Sequence, residues 1–406
     1  MTTLSLTRDD DWQTLLGYLP SEYVRLAVEH KQLQTQYGNA KITTAESLLR
    51  FILLHVGANL PLLQTVTLIA EAGGPRLSAM RLHMKMRRAA PYLQALVERM
   101  TPWRAEAKAE QWAGYSMVLV DATTVCGPGA TGTDARVHTK LRVADMAIVE
   151  AEVTDEHVGE SFKRFLFHPG ELAIGDRIYC NAPNIAYVVE HGADVLVRFN
   201  GGSLPPLQLA HGGTLDALAA SRALREGAVL DLPVTYEHGD ERIRGRFIST
   251  PLPRAEAEEA RKRLRKERGA NVSPEVLESA GYVMLLTTVP RERMAASKCL
   301  LAYRLRWQVE LQFKRWKSLC GFDRLPNYRD DTIVAWLYAK LLLGVLLDRM
   351  SADRTELSPP VQLEDVPRQP RRPRRRRAAA PGEAALEAHE HPVSDDRRGP
   401  PAAVSA

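Results

Sequence analysis

The stretch YRLRWQVELQFKRWK, residues 303–317, combines one carboxylate with several cations at helical spacing. When it is wound at about 100° per residue, Tyr303, Arg306, Glu310 and Lys317 fall on one narrow edge. Apolar side chains fall on the opposite side of the same wheel, namely Leu301, Leu305, Val309, Trp316 and Leu319. The pattern predicts one helix that packs one face on a core and presents Glu310 among groups that bind phosphate.

The polar face of an amphipathic helix is most often simply solvated, and the wheel alone favours that interpretation. The flanking cations Arg304, Lys314 and Arg315 leave Glu310 outnumbered by positive charge. A carboxylate held among cations suits a divalent metal together with a phosphodiester. Because one carboxylate cannot hold such a metal, the hypothesis requires further acidic residues elsewhere in the chain.

Length and composition limit the class of protein. At 406 residues, with about 150 residues per domain as a guide, the chain predicts two or three domains. A net charge of +5 and a pI near 9.0 permit a nucleic-acid partner without requiring one. The four cysteines form no CxxC pair and are typical of reduced thiols in a cytoplasmic protein, not of a zinc site or disulfides. We expect no signal peptide and no membrane span, because the apolar runs 48–63 and 336–347 are short or interrupted by charge.

Helical periodicity dominates residues 12–100, and its most informative part is a helix, a turn and a second helix. The first helix is predicted over residues 62–72, the turn at Gly73-Gly74-Pro75, and the second helix over residues 78–88. The second helix carries the basic residues Arg81, His83, Lys85, Arg87 and Arg88. A helix-turn-helix places such a helix in the major groove, so residues 1–108 are predicted to form an all-helical DNA-binding domain. An ordinary helical hairpin with a solvated basic face is the alternative.

Two aspartates follow short apolar runs that are typical of buried strands. Residues 116–120 lead to Asp121, and residues 171–175 lead to Asp176. Further strands are predicted over residues 136–142, 147–154 and 193–199, and helices over residues 160–167 and 184–190. Each aspartate alone is as compatible with a cap or a turn. Together with Glu310, they predict three carboxylates gathered at one edge of a sheet.

Once the three acidic residues are placed, a family resemblance follows. VLVDATTV surrounds Asp121, ELAIGDRIY surrounds Asp176, and residues 303–317 carry a Tyr-x2-Arg-x3-Glu-x6-Lys signature. The stretches GTDARVH and GADVLVR are also similar to the same family. On these motifs the chain resembles the DDE transposases of bacterial insertion sequences, of the insertion-sequence-four family, over roughly residues 62–348.

The resemblance implies an α/β (α+β) fold, with an RNase H-like mixed-sheet core, a β-rich insertion and a preceding all-helical DNA-binding domain. The core would comprise residues 109–200 and 282–350, with the insertion at residues 201–281. The insertion contains residues 254–269, a heavily charged stretch that predicts a solvated helix. Residues 351–406 are rich in Pro, Ala and Arg, include the basic run 368–377, and are predicted to be a disordered tail.

The resemblance also implies an activity and its residues. Asp121, Asp176 and Glu310 would be the catalytic carboxylates and would hold two Mg²⁺ ions, with Mn²⁺ as a substitute. Arg306 and Lys317 would hold phosphates at the transposon end, and Tyr303 would donate a hydrogen bond to one. The partner would be double-stranded DNA, comprising terminal inverted repeats and target, bound by a homodimer. The expected location is the cytoplasm, at the nucleoid when bound to DNA.

Two other functions remain open at this point. A metal-dependent nuclease on the same core would cut DNA without joining strands. A remnant of an insertion sequence would retain DNA binding without catalysis. The tail, residues 351–406, departs from the packed helices usual in the family, which leaves open both dimer formation and the activity of this copy.

Overall fold

A computed structural model describes residues 8–33, 44–101, 112–127, 132, 134–269, 272–322, 325–326 and 330–354 of the chain. The basic run 368–377 and almost all of the predicted tail lie outside the described residues. The tail was expected to begin at residue 351, but the last helix continues to Arg354. Among the described helices, none is both long enough and apolar enough to cross a bilayer.

The described residues form helices and strands in the following order along the chain. The helices are α1 Asp9–Leu16, α2 Tyr23–Glu29, α3 Ala45–Gly57, α4 Leu62–Glu71, α5 Ala79–Met100, α6 Ala182–Glu190, α7 Ala217–Arg222, α8 Arg254–Arg268, α9 Pro274–Ser279, α10 Ala296–Arg304, α11 Trp307–Cys320 and α12 Asp330–Arg354. The strands are β1 Ser116–Val125, β2 Ala135–Arg142, β3 Ala147–Asp155, β4 Glu171–Gly175, β5 Asp194–Arg198, β6 Gln208–Leu209, β7 Leu230–His238, β8 Glu241–Pro251 and β9 Tyr282–Thr287. Short 3₁₀ helices lie at Phe162–Arg164, Arg177–Tyr179 and Gly201–Ser203.

All of the described strands belong to one mixed sheet, with the strand order β3-β2-β1-β4-β5-β9-β8-β7-β6. The central strands β1, β4 and β5 pair in parallel, and the remaining pairs are antiparallel. The three insertion strands do not form a separate layer, because β8 pairs with β9 along six residue pairs and extends the core sheet. The fold is therefore a mixed α/β architecture, as predicted for an RNase H-like core.

Alternating side chains of the central strands divide the core into two clusters. Leu119, Ile174 and Leu196 point to one face, which helices α1–α5 and α10–α12 cover. Val118, Ala173 and Val195 point to the other face, which α6 and residues 162–167 cover and to which β7 and β8 of the same sheet add side chains. The N-terminal helices and α12 thus share one continuous core with the sheet, and α12 packs along α5 and α3.

The two helices and the turn predicted within residues 62–88 are present as α4, a turn and α5, and the DNA-binding role of this segment stays a prediction. Gly73 adopts a φ of 80°, a conformation that favours glycine, and ends α4. The side chain of Ser78 accepts a hydrogen bond from the backbone N–H of Arg81 and caps α5. The second helix is longer than predicted, because it continues through Pro91 to Met100 and buries Tyr92, Leu93 and Leu96.

The structure corrects two predicted helices. The helix predicted over residues 160–167 is wrong: only Phe162–Arg164 is helical, and it is a 3₁₀ turn that lets Phe162, Phe165 and Phe167 all reach the core. The single helix predicted over residues 303–317 is also wrong, because α10 ends at Arg304 and α11 begins at Trp307. Between the two helices, the backbone N–H groups of Leu305 and Arg306 donate to the carbonyls three residues earlier, those of Ala302 and Tyr303. These shorter-range hydrogen bonds form a tight 3₁₀-type turn.

Gly175, the last residue of β4, packs beneath two stacked rings. The centroids of Phe162 and Tyr179 lie 4.7 Å apart. A Cβ atom on Gly175 would lie 2.9 Å from Phe162 Cζ and 2.9 Å from Tyr179 Cδ2, closer than packed atoms tolerate. The glycine therefore lets the ring pair lie directly on β4, immediately before Asp176.

We predict that Gly175→Ala lowers the free energy of unfolding by about 1–3 kcal/mol, because the added methyl overpacks the two rings. Denaturant unfolding measures this change. Gly159→Ala is the matched control, since its Cβ would have no neighbouring atom within 4 Å. Equal stability of the two variants would contradict the close packing described above.

Candidate active site

Asp121 and Asp176 lie side by side on neighbouring parallel strands. The register of β1 and β4 pairs Leu119 with Ile174, so two residues further along each strand the two aspartates reach the same level. Both lie on the face of Leu119 and Ile174, and neighbouring strands are about 4.8 Å apart. Asp176 directly follows the end of β4, as predicted. The prediction that Asp121 ends its strand is wrong, because β1 continues to Val125 through its pairing with β2.

Backbone hydrogen bonds hold one oxygen of each aspartate. Asp121 Oδ1 accepts from the N–H of Ala122 at 2.9 Å. Asp176 Oδ1 accepts from the N–H of Ile178 at 2.8 Å and caps the 3₁₀ helix Arg177–Tyr179. The sequence GDRIY thus folds so that the strand end, the cap and the following turn all fix the position of one carboxylate.

Arg306 bridges Asp121 and the third predicted carboxylate, Glu310. Its Nη1 lies 3.5 Å from Asp121 Oδ2, and its Nη2 lies 2.7 Å from Glu310 Oε1. The side chains of Asp121 and Arg306 are only 14% and 15% exposed, whereas Glu310 is 36% exposed. The structure therefore links Glu310 to Asp121 through the guanidinium of Arg306. In the part of the chain that the structure describes, no three His, Cys, Asp or Glu side chains are grouped as a metal ion requires.

Burial controls the protonation of this acidic centre. It raises the pKa of Asp121 to about 7, and the negative charges of Asp176 and Glu160 act in the same direction. Arg306 and the N–H of Ala122 oppose this shift without cancelling it. For Arg306 itself, burial works to lower the pKa, but Tyr303, Asp121 and Glu310 outweigh burial and raise it. The guanidinium is therefore firmly charged.

Glu160 is a fourth carboxylate at this centre that sequence reasoning missed. Burial raises its pKa, and the charge of Asp176 adds to the effect. Its Oε1 lies 3.9 Å from Nε of Arg136. Glu160 precedes an irregular segment with no strand or helix period, so no local pattern marks it.

Tyr303 and Lys317 flank the carboxylates on α10 and α11. Burial raises the pKa of Tyr303 to about 12, although the neighbouring cations Arg306 and Arg198 act in the opposite direction. Its hydroxyl is therefore neutral near pH 7 and able to donate a hydrogen bond. Lys317 is partly exposed and lies seven residues after Glu310 on α11, hence on the same face and about 10 Å further along.

The basic residues predicted on α5 separate into two groups. Arg81, Arg87 and Arg88 are exposed. Lys85 is partly buried and donates a hydrogen bond to the backbone carbonyl of Gln32, and burial lowers its pKa. Helix α5 packs mainly on α12, with further contacts to α2, α4 and β3, whereas the carboxylates come from β1, β4 and α11. The α5 cations and the acidic centre are therefore carried by different elements of the fold.

Comparison with known proteins identifies related chains. A family profile described as "Transposase DDE domain" matches residues 112–346, from just before β1 into α12. The transposase for insertion sequence element IS421 of Escherichia coli is 30% identical over 356 residues, which cover 84% of this chain and 93% of the relative. InsL of insertion sequence element IS186A, from Escherichia coli strain K12, is 29% identical over 355 residues, with the same coverage of 84% and 93%. The transposase for IS231E of Bacillus thuringiensis subsp. finitimus is 27% identical over 122 residues, covering 29% of this chain and 26% of that relative.

The raised pKa of Asp121 predicts a specific pH dependence of stability. Its pKa rises from 3.8 to about 7 on folding, so the folded state holds the proton more tightly and loses stability as pH rises between these values. In metal-free buffer, Asp121→Asn removes this loss. We expect the unfolding free energy of the variant, relative to the wild type, to increase by about 2–4 kcal/mol from pH 4 to pH 8.

Urea unfolding across that pH range, with chelator present, makes the measurement. Asp240→Asn, which changes an exposed aspartate in the turn between β7 and β8, is the control for the substitution itself. If the Asp121→Asn difference does not change with pH, burial does not raise the pKa of Asp121.

Proposed function

The chain belongs to the DDE transposase family, whose members cleave DNA and transfer its strands, and we propose that it moves its own insertion sequence by a cut-and-paste route. In this route the enzyme binds the terminal inverted repeats, cleaves the element ends and joins them to target DNA. The observation that carries the proposal is the juxtaposition of Asp121 and Asp176 on β1 and β4, with Glu310 held to Asp121 through Arg306.

The chemistry of this family depends on a divalent metal. We infer that Asp121, Asp176 and Glu310 hold two Mg²⁺ ions, with Mn²⁺ as a substitute, because hard cations prefer oxygen ligands. Two adjacent carboxylates, one with a raised pKa, are a donor set that gains from a bound cation. The bound ions would activate water or a DNA 3′-OH and stabilise the leaving oxygen.

We propose that Arg306 couples DNA binding to the assembly of the three carboxylates Asp121, Asp176 and Glu310. Its guanidinium forms ion pairs with both Asp121 and Glu310. A phosphate of the element end would compete for that guanidinium, since arginine binds phosphate through paired hydrogen bonds. Transfer of Arg306 to DNA would leave the Glu310 carboxylate free to complete the acidic centre.

Tyr303 and Lys317 are proposed to hold the DNA strand beside the carboxylates. The neutral Tyr303 hydroxyl would donate a hydrogen bond to a phosphate, and Lys317 would contribute a positive charge further along α11. These contacts fix the strand without reading its sequence. Asp121, Asp176 and Glu310 would then act on the phosphate that lies between them.

We propose that residues 1–108 bind the inverted repeat through α5. Arg81, Arg87 and Arg88 are the proposed phosphate contacts, because their side chains are exposed on one helix. Lys85 is excluded from this set, since its ammonium holds the carbonyl of Gln32. Two copies of the chain would be needed to bind the two ends of the element, so we propose a homodimer in the DNA complex. We propose that this complex lies in the cytoplasm, at the nucleoid. We also propose that residues 201–281 form the insertion and that the tail follows Arg354, the last residue of α12.

Neutralising each catalytic carboxylate tests the activity. We predict that Asp121→Asn, Asp176→Asn and Glu310→Gln each reduce Mg²⁺-dependent cleavage of the element end to background while leaving DNA affinity within about threefold. Mg²⁺ should also raise the melting temperature of the wild type and not of the variants. Glu190→Gln, an exposed carboxylate on α6, is the control and should cut normally.

Any of the three variants that cuts at the wild-type rate is not a metal ligand. A strand-transfer assay with a pre-cleaved end separates the remaining possibilities. Cutting without joining would indicate a nuclease, and DNA binding without metal-dependent cutting would indicate an inactive remnant.

The two groups of basic residues on α5 predict different salt dependences. Arg88→Gln should reduce the slope of log affinity against log salt by about 0.9, the contribution of one phosphate contact. Lys85→Gln should leave that slope unchanged and instead lower the unfolding free energy by about 1–3 kcal/mol, because the Gln32 carbonyl loses its partner. Fluorescence anisotropy over a salt series and denaturant unfolding make the two measurements. If Lys85→Gln changes the salt slope and Arg88→Gln does not, α5 does not contact phosphates through the residues proposed.

A further inference from the structure

Two methionines lie on the exposed face of α5, close to its N-terminus. Met80 is 69% exposed and Met84 is 39% exposed, although most large apolar side chains of this helix are buried. With Met80 set at 0° on the helical wheel, Met84 lies at about 40°, and buried Leu82 and Leu93 lie at about 200° and 220°. A single exposed apolar side chain is ordinary, but residues four apart are neighbours on a helix surface. Met80 and Met84 therefore form one apolar ridge opposite the core.

Arginines border this ridge on both sides. On the same wheel Arg87 lies at about 340°, whereas Arg88 and Arg81 lie at about 80° and 100°. All three arginine side chains are exposed, and Arg87 Nη1 lies 4.0 Å from Met84 Sδ. Residues 72–97 contain no Asp or Glu. The face therefore suits an occupant that is apolar along its centre and anionic along both sides.

The major groove of DNA has this arrangement of groups. Thymine C5-methyl groups lie on its floor, and the phosphates of the two strands lie along its sides. A recognition helix contacts base edges through its N-terminal residues, and Met80 and Met84 are the second and sixth residues of α5. Their separation along the helix axis is about 6 Å, close to the rise of two base pairs. The methionine side chain is flexible and polarisable, which suits packing against a methyl group.

We propose that Met80 and Met84 read the inverted repeat by packing against thymine methyl groups in the major groove. This inference rests on the proposed DNA binding by α5 and adds recognition of bases, which phosphate contacts do not supply. The methyl group marks the position of thymine, so the ridge distinguishes a T·A pair from the other base pairs. The arginines on either side hold the helix at the depth where this contact forms.

The test removes methyl groups from the DNA and methionines from the full-length protein, separately and together. The probe is a duplex carrying the terminal inverted repeat that flanks the gene, with one thymine at a time replaced by deoxyuridine, which lacks the C5 methyl. Fluorescence anisotropy measures affinity, and an unrelated duplex of equal length reports non-specific binding. Leu63→Ala is the matched control, because Leu63 is also 69% exposed and lies on the neighbouring helix α4.

For the wild type we expect deoxyuridine to weaken binding about three- to fivefold at one or two thymine positions, the contribution of a buried methyl group. Met80→Ala and Met84→Ala should each weaken binding to the repeat about fivefold and lose the sensitivity to deoxyuridine at one position. Their affinity for the unrelated duplex and their salt slope should not change, because neither side chain contacts a phosphate.

Conservative and control variants sharpen this expectation. Met80→Leu and Met84→Leu keep an apolar side chain and should retain the sensitivity to deoxyuridine. Leu63→Ala should follow the wild type at every position. If an alanine variant does not fold, as judged by its melting curve, Met80→Gln or Met84→Gln replaces it, since glutamine is similar in length and favours helices.

Deoxyuridine profiles of the alanine variants equal to that of the wild type, or an equal loss of affinity on both duplexes, would overturn the inference. Sedimentation without DNA tests a different occupant. If the alanine variants convert a wild-type dimer to monomer and keep its deoxyuridine profile, the ridge is a contact between copies of the chain and the inference fails.

The wild-type measurements separate this inference from the proposed function. If the wild type prefers the repeat to the unrelated duplex but is insensitive to deoxyuridine, only the reading of thymine methyl groups fails. If the wild type binds both duplexes equally, recognition of the inverted repeat fails together with it.

Discussion

The structure depends on how it holds two like charges side by side. Parallel pairing of β1 and β4 brings Asp121 and Asp176 to the same level, and burial around Asp121 raises its pKa to about 7. Two ionised carboxylates at this separation repel each other, and the protein interior screens them poorly. Backbone N–H groups fix one oxygen of each, and Arg306 supplies the compensating charge. The unfavourable pair is therefore stable only because the surrounding elements hold it there.

Helix α12 connects the acidic centre to the N-terminal helices, because it packs on α11, the helix that carries Glu310. Asp348 accepts hydrogen bonds from Gln312 at 2.7 Å and from Trp316 at 3.4 Å. At the other end of α11, buried Lys340 donates to the carbonyl of Cys320 and, at 2.7 Å, to the side chain of Asn59. The same α12 packs on α5, so the position of the third carboxylate and that of the N-terminal helices share one support.

Local patterns in the sequence were sufficient for the existence of β1 and β4 and for the helices that flank the N-terminal turn. They failed where a partner outside the local stretch decides. Asp121 is followed by more strand because β2, the next strand of the chain, pairs with β1 as far as Val125. Lys85 is withdrawn from the basic face by Gln32, and no residue near the step at Leu305 and Arg306 marks a break in the helix. Glu160 becomes visible only through its burial beside Asp176, and the assignment of catalytic roles itself stays a prediction.

The sheet topology has a consequence for how such a chain can vary. The chain leaves β5 after Arg198 and returns on β9, its direct antiparallel neighbour, where the N–H of Phe199 already bonds the carbonyl of Met284. Everything between these points is, in topological terms, one greatly enlarged hairpin loop. Because its two ends are adjacent, closing that loop costs little more entropy when it is long than when it is short. Insertions of very different length can therefore be accommodated at this junction without moving β1 and β4, which position Asp121 and Asp176.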